Sequence, residues 1–246
     1  MAKLQMLSLE DDDILERHIR EESNYCDVAH LYVATYGICQ VILLELWPLD
    51  LDGNGRLTLC ANVENPNKIA GYFNWKGSFN VSTYNLPLDV SRRLYEFKKF
   101  DAEFVEYVAN LVLDVLTEID EINGGKNRLA QRRDEIMQKL RNCGFQKKIL
   151  LERHSKLSRD RKHRALVYNC FGQSVGDALK VEIENVATGE VIMSKWIDEE
   201  LPCCLFQHKS CINKTGWNGD TFSVSIGRPE PWDTIFIELP VRIDNI

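Results

Sequence analysis

Apolar and polar positions divide this chain into an N-terminal half that mixes strand and helix periods and a C-terminal third built of strand-length runs. Ser8 to Tyr25 predicts a short helix. Ile14, Leu15 and Ile19 form a thin apolar stripe, Ser8 is a candidate N-cap, and Asp11 puts an acid in the first turn, where the helix dipole favours it. Val28 to Leu44 contains no Lys, Arg, Asp or Glu, and Gly37 splits it into two pieces of strand length. The run is too short and too polar for a bilayer span and predicts buried strands or a core helix. Cys39 to Trp47, rich in β-branched and large apolar residues, favours strand.

The turn cluster Asp50 to Gly55 closes with Asn54-Gly55, a hairpin cue. Beyond it Leu57, Leu59, Ala61 and Val63 alternate with Arg56, Thr58, Cys60 and Asn62, the pattern of a half-buried strand. Ile69 to Trp75 and Phe79 to Tyr84 flank Lys76-Gly77 as a further hairpin. Together these runs predict a three- or four-stranded antiparallel meander. From Pro87, apolar residues recur at spacings of three and four through Leu94, Phe104, Val108, Leu111, Val115 and Ile122, and Asn123-Gly124-Gly125 stops the pattern. This long amphipathic helix is expected to pack on the meander and complete an α+β module over residues 1–125.

Residues 126–164 predict a basic helical connector. Arg128 to Asn142 is helical in pattern, Cys143-Gly144 is a stop, Phe145 to Leu157 resumes as a second helix, and Ser158 to Arg164 is an exposed linker. In residues 165–246 the strands Ala165–Cys170, Leu179–Val186, Val191–Ile197, Thr221–Ile226 and Thr234–Ile243 suggest a β-sandwich-like module.

Composition changes this picture at one place. The apolar fraction of 44% and charged fraction of 27% are ordinary for a globular protein, and the net charge is −7. Between Lys126 and Arg164, however, fourteen basic side chains face four acidic ones, a net +10 flanked by −11 before it and −6 after it. A cluster of this density can neutralise several phosphates of a nucleic acid without reading sequence. The candidate contacts are Arg128, Arg132, Arg133, Lys139, Arg141, Lys147, Lys148, Arg153, Arg159, Arg161, Lys162 and Arg164. Two other occupants fit the same charge: the chain's own acidic modules and an acidic partner protein. With Phe145 as its one aromatic residue, the segment offers little for base stacking.

Other constellations are weaker. Cys203, Cys204, His208 and Cys211 place three thiols and an imidazole within nine residues, soft donors suited to a structural zinc, although the spacing is not a standard pair and buried free thiols fit as well. Asp50-Leu-Asp-Gly-Asn-Gly resembles the first half of an EF-hand calcium loop, but position twelve is Ala61 where a bidentate Glu is needed. Cys26 and His30 lie close enough in sequence for a nucleophile and base, with chance proximity the stronger reading. Trp217 and Trp232, in loops flanked by Gly and Pro, are candidate partner-gripping aromatics. No G-x-S-x-G, H-E-x-x-H, C-x-x-C or phosphate-cradling Gly-rich motif is present. The eight cysteines, with no cleavable signal pattern at the start, predict free thiols in a reducing cytoplasm. The sequence thus predicts a non-catalytic binding or assembly subunit whose basic connector contacts a polyanion, with nucleic acid first. A protein–protein scaffold and a metal-dependent enzyme are the alternatives. No membrane contact and no bound cofactor other than that zinc are expected.

Overall fold

A computed structural model describes residues 3–11, 30–51, 55–63, 68–75, 81–97, 101–172, 177–197, 212–229 and 234–242. The fold is mixed α+β and divides into two compact units, Met1–Gln146 and Lys147–Ile246. The division falls inside the basic stretch.

The first unit holds β1 (Met6–Asp11), α1 (His30–Leu46), β2 (Arg56–Ala61), β3 (Gly71–Trp75), β4 (Val81–Asn85), α2 (Leu88–Glu96), α3 (Ala102–Ile122) and α4 (Leu129–Asn142). Its sheet runs β1-β2-β4-β3. Among the described residues, β1 pairs β2 in parallel, β2 pairs β4 in parallel, and only β3–β4 is antiparallel. The expected antiparallel meander is therefore corrected to a mixed sheet, with the β3–β4 hairpin as its one antiparallel pair. The cause is α1. Parallel neighbours need a crossover of a dozen or more residues, and α1 lies within the crossover from β1 to β2.

Two further expectations change with α1. Ser8 to Asp11 is strand rather than the start of a helix, and the rest of that expected helix lies outside the described residues. Cys39 to Leu46 is helix rather than strand. Leu31, Tyr36, Ile38, Cys39, Val41, Ile42, Leu43 and Leu46 are all buried, so α1 is apolar nearly all round. A short apolar run does not separate a strand from a buried helix by periodicity, and here length and burial override the β-branched content. On the outermost strand β1, Thr35 Oγ1 lies 3.4 Å from the Leu9 carbonyl and Gln40 Nε2 donates to the Leu7 carbonyl at 3.2 Å. Side chains of α1 thus cover strand-edge groups that would otherwise need other partners. β2, flanked by two strands, has Thr58 and Cys60 buried along with Leu57, Leu59 and Ala61, so it is buried on both faces rather than half-buried.

The single long helix expected from Pro87 is two helices. Asp101 caps the second, its Oδ1 accepting from the amides of Glu103 at 3.1 Å and Phe104 at 3.3 Å. Phe97 is extended and sets its ring 5.4 Å from that of Phe104. α3 packs against α1 and α4 rather than resting its whole apolar face on the sheet, which it meets where Tyr84 Oη donates to Glu118 Oε2 at 2.5 Å. The predicted glycine stop is present: Gly124 and Gly125 have φ of 87° and 66°, and the Gly125 amide donates to the Asp120 carbonyl at 2.7 Å. Buried Asp120 then anchors the next helix. It accepts from the Asn127 amide (3.0 Å), Asn127 Nδ2 (2.7 Å) and the Leu129 amide (3.0 Å), while Asn127 Nδ2 also reaches the Asp50 carbonyl at 2.9 Å.

The second unit contains β5 (Lys147–Leu150), β6 (Lys156–Leu157), β7 (His163–Phe171), β8 (Asp177–Asn185), β9 (Val191–Trp196), β10 (Ile212–Asn218), β11 (Thr221–Pro229) and β12 (Thr234–Arg242). One sheet runs β5-β7-β8-β9 with β6 also on β7, the other β10-β11-β12, and every pair is antiparallel. The expected second helix from Phe145 to Leu157 is replaced by β5 and β6, so no helical hairpin forms. Lys147 to Leu150 alternates half-buried and exposed positions against β7, which a period of two satisfies and a helix does not. One buried cluster, including Val167, Val181, Ile183, Phe222 and Val224, draws on both sheets. Among the described residues no helix is long and apolar enough to cross a membrane.

Candidate polyanion interface

The basic residues separate into two sets. On α4 the buried stripe Leu129, Ile136, Met137 and Leu140 faces inward and carries its cations to acids on neighbouring helices. Arg133 Nε donates to Asp114 Oδ1 at 2.6 Å and its Nη2 to Asn110 Oδ1 at 3.0 Å. Arg141 Nε donates to Glu106 Oε1 at 2.9 Å. Lys139 lies 2.8 Å from Glu135 and 3.7 Å from Glu45, and the Glu135 hydrogen bond holds its ammonium above the ordinary lysine range. Arg128, in a left-handed conformation at φ 54°, and Arg132 are exposed.

In the second unit Lys148 and Arg164 are paired with β8, Lys148 Nζ at 2.6 Å from Glu182 and Arg164 Nη1 at 3.1 Å from Glu184. Lys147 is half-buried on β5. Arg153, Arg159, Arg161 and Lys162 are exposed and form no ion pair among the described residues. They sit around β6 and the turn that joins it to β7. That turn is tightly bonded. Ser158 Oγ donates to Asp160 Oδ1 at 2.7 Å, the Lys162 amide to the same oxygen at 3.1 Å, and the Ser158 amide to the His163 carbonyl at 2.8 Å. The Ser158 and Lys162 donors hold the Asp160 carboxyl below its usual range. The amide of Val186 ties down the Lys162 carbonyl at 2.8 Å. Burial, with Arg153 and Lys156 adding, pushes His154 below the ordinary histidine range, so near pH 7 it is neutral.

The sequence missed the aromatic content of this unit because it lies on strands distant in the chain. Antiparallel partners share a face, and Leu150, Tyr168, Lys180 and Trp196 form one row across β5, β7, β8 and β9. Lys148 Nζ lies 3.8 Å from the Tyr168 ring centre and Lys180 Nζ 5.0 Å from that of Trp196. Both lysines flank Glu182, at 2.6 Å and 3.2 Å. Burial raises the Glu182 carboxyl, but hydrogen bonds from Lys148 and Lys180 outweigh it and hold it below the usual range. Period-two reading of β7 and β8 is the signal that would have placed these residues on one face.

The remaining candidates fall elsewhere. Trp217 is on strand β10 rather than in a loop; its ring packs 5.3 Å from Phe222 and its Nε1 donates to the Lys156 carbonyl at 3.0 Å. Trp232, Cys26 and the Cys203, Cys204, His208, Cys211 cluster lie outside the described residues. Ala61, at the twelfth position of the calcium-like loop, is buried on β2. Cys39, Cys60, Cys143 and Cys170 are free thiols. Burial, reinforced by Glu10, pushes Cys39 and Cys60 up to about 12, which leaves both protonated and poor nucleophiles. Among the described residues no group of three or more His, Cys, Asp or Glu could hold a metal ion. No model of a known protein family, no curated protein and no solved structure matches this chain.

Proposed function

We propose that this chain is a non-catalytic binding or assembly subunit, and that the Arg153 to Arg164 hairpin of its second unit contacts a polyanion, nucleic acid. One observation carries the reading. Among the described residues, Arg153, Arg159, Arg161 and Lys162 of this hairpin are exposed and form no ion pair, on a turn stiffened by Ser158 and Asp160. A turn already ordered loses little further entropy on binding. Six Lys and Arg side chains (Arg153, Lys156, Arg159, Arg161, Lys162 and Arg164) stand there against one acid, Asp160, and Arg164 is paired with Glu184 of β8. The same reading takes the two sheets of the second unit as a β-sandwich-like module, supported by their shared buried cluster. It sets the chain in the cytoplasm, supported by the free thiols of Cys39, Cys60, Cys143 and Cys170 among the described residues.

The test is a titration of the full chain with DNA and RNA at low and moderate salt. About four phosphate contacts lower affinity by about a hundred-fold between 50 and 200 mM salt. No binding at the lower salt, or affinity independent of salt, overturns the proposal.

A protein–protein scaffold is the second reading, and α4 favours it. Arg133, Lys139 and Arg141 already meet acidic side chains of the same unit. On this reading the basic stretch docks acidic surfaces, its own or a partner's, and light scattering of the full chain separates the two: a monomer points to docking within the chain, salt-sensitive self-association to docking on a second copy.

A further inference from the structure

We infer that the outer face of the β5-β7-β8-β9 sheet is a stacking platform for single-stranded nucleic acid, with Tyr168 and Trp196 as two base stations and the Arg153 to Arg164 hairpin as the phosphate clamp. The inference rests on the polyanion reading above and deepens it to a ligand class.

The face is built for both parts of such a ligand. Tyr168 and Trp196 occupy one cross-strand row with Leu150 and Lys180. They lie two strands apart, about 10 Å at the backbone. Both are half-buried, so each ring is held by its neighbours yet reaches solvent. The row two residue pairs beyond Glu182 on β8 brings Arg164, Glu184 and Val191 together on the same face, and β6 adds Leu157 beside Arg164. Leu150, Leu157 and Val191 are 39%, 43% and 47% exposed, large apolar side chains left in water on one surface. An apolar, ring-bearing surface bordered by lysines accepts the flat face of a base, and every base has one. Duplex bases are stacked on each other and do not present that face, so an unpaired strand is the fitting occupant.

Charge agrees with this assignment. Glu182 is paired by Lys148 and Lys180, and Glu184 by Arg164, so the carboxylates of the face are neutralised within it. The hairpin cations adjoin the Arg164 end of β7, where β6 pairs at Leu157. A strand whose bases lie on the rings can therefore lead its phosphates past the turn. Lys148 resting over Tyr168 is not a bar. An exposed cation–π contact is weaker than a stacked base, and the ammonium keeps Glu182 when it leaves the ring.

The experiment uses the full chain with oligothymidylate, oligouridylate, a duplex and heparin. Tyr168→Ala and Trp196→Ala are each expected to weaken oligonucleotide binding about ten-fold, with heparin binding unchanged and Tyr168→Phe restoring affinity. Photo-crosslinking of a thiopyrimidine oligonucleotide to the unsubstituted chain needs no variant to fold and is expected to label Tyr168 or Trp196. Crosslinks found only away from this face, ring variants that bind as the parent does, or oligoglutamate that competes as well as the oligonucleotide would each overturn the platform. Loss of heparin binding on hairpin charge reversal, with no effect of ring removal, overturns the platform and leaves the polyanion reading standing. A parent chain that binds neither heparin nor oligonucleotide overturns both.

Discussion

Arg133, Lys139 and Arg141 on α4 and Arg159, Arg161 and Lys162 in the β6–β7 turn come from one run of like charge, yet their surroundings differ. On α4 the apolar stripe that buries Leu129, Ile136 and Leu140 also sets the cations against Glu45, Glu106 and Asp114. In the turn, the nearest acid, Asp160, is spent on the backbone and on Ser158, and the β8 acids are taken by Lys148, Lys180 and Arg164. The lesson is that a dense basic run is not one site. Amphipathic helix packing tends to bring charges to neighbours, whereas a tight turn, stiffened by its own hydrogen bonds, leaves its long side chains in water.

The comparison can be broken at several points. The largest effect is expected at the start of α4. Asp120→Ala strands three donors and should cost the first unit about 3 kcal/mol, read as a lower urea midpoint, with polyanion affinity unchanged. A loss below about 1 kcal/mol would mean that α4 is not anchored there. Next comes the turn: Arg159→Glu, Arg161→Glu and Lys162→Glu together should lower nucleic-acid affinity about a hundred-fold at low salt and reduce the salt slope by about one per contact, with the melting curve unchanged. Unaltered affinity would remove the turn from the interface.

A smaller effect is expected from pH. The Glu182 carboxyl is held below its unfolded value near 4.3, so its stabilisation is complete above that value and is lost as pH falls through the lower folded one. The second unit should lose stability in that acid window, and Glu182→Gln should flatten the dependence; an unchanged slope contradicts the pairing. The smallest effect is assigned to the α4 surface. Arg133→Gln with Arg141→Gln should leave affinity unchanged and lower the denaturation midpoint only slightly, because exposed ion pairs contribute little. Equal loss of binding from this pair and from the turn would erase the distinction between the two sets.

How much was legible depends on where each signal is local. The glycine stop at Gly124-Gly125, the α4 pattern and its Cys143-Gly144 end, the β3–β4 hairpin and five C-terminal strands follow from the chain's own periodicity. β10 is not legible in the sequence because Ile212 to Asn218 contains Gly216 and alternates poorly. β5 and β6 fit a helix as well as strands because a short apolar run between lysines suits either period, and only pairing with β7 decides it. For α1 the apolar run fits buried strands or a core helix alike, and only its β-branched part from Cys39 favours strand. The basic cluster was visible at once, but its division into paired and displayed halves was not, since Glu106 precedes Arg141 by 35 residues.

Sequence alone determined the charge asymmetry, the amphipathic faces of α3 and α4, and the all-strand character of the C-terminal third. These are properties of neighbouring residues, and local sterics and periodicity suffice to set them. Tertiary structure alone decided the parallel pairing around β2, the capture of α4 cations by acids on other helices, and the meeting of Tyr168, Lys180 and Trp196 on one sheet face. The physical reason is common to all three. Each depends on which distant segment supplies the partner, and strand register and helix packing choose that segment.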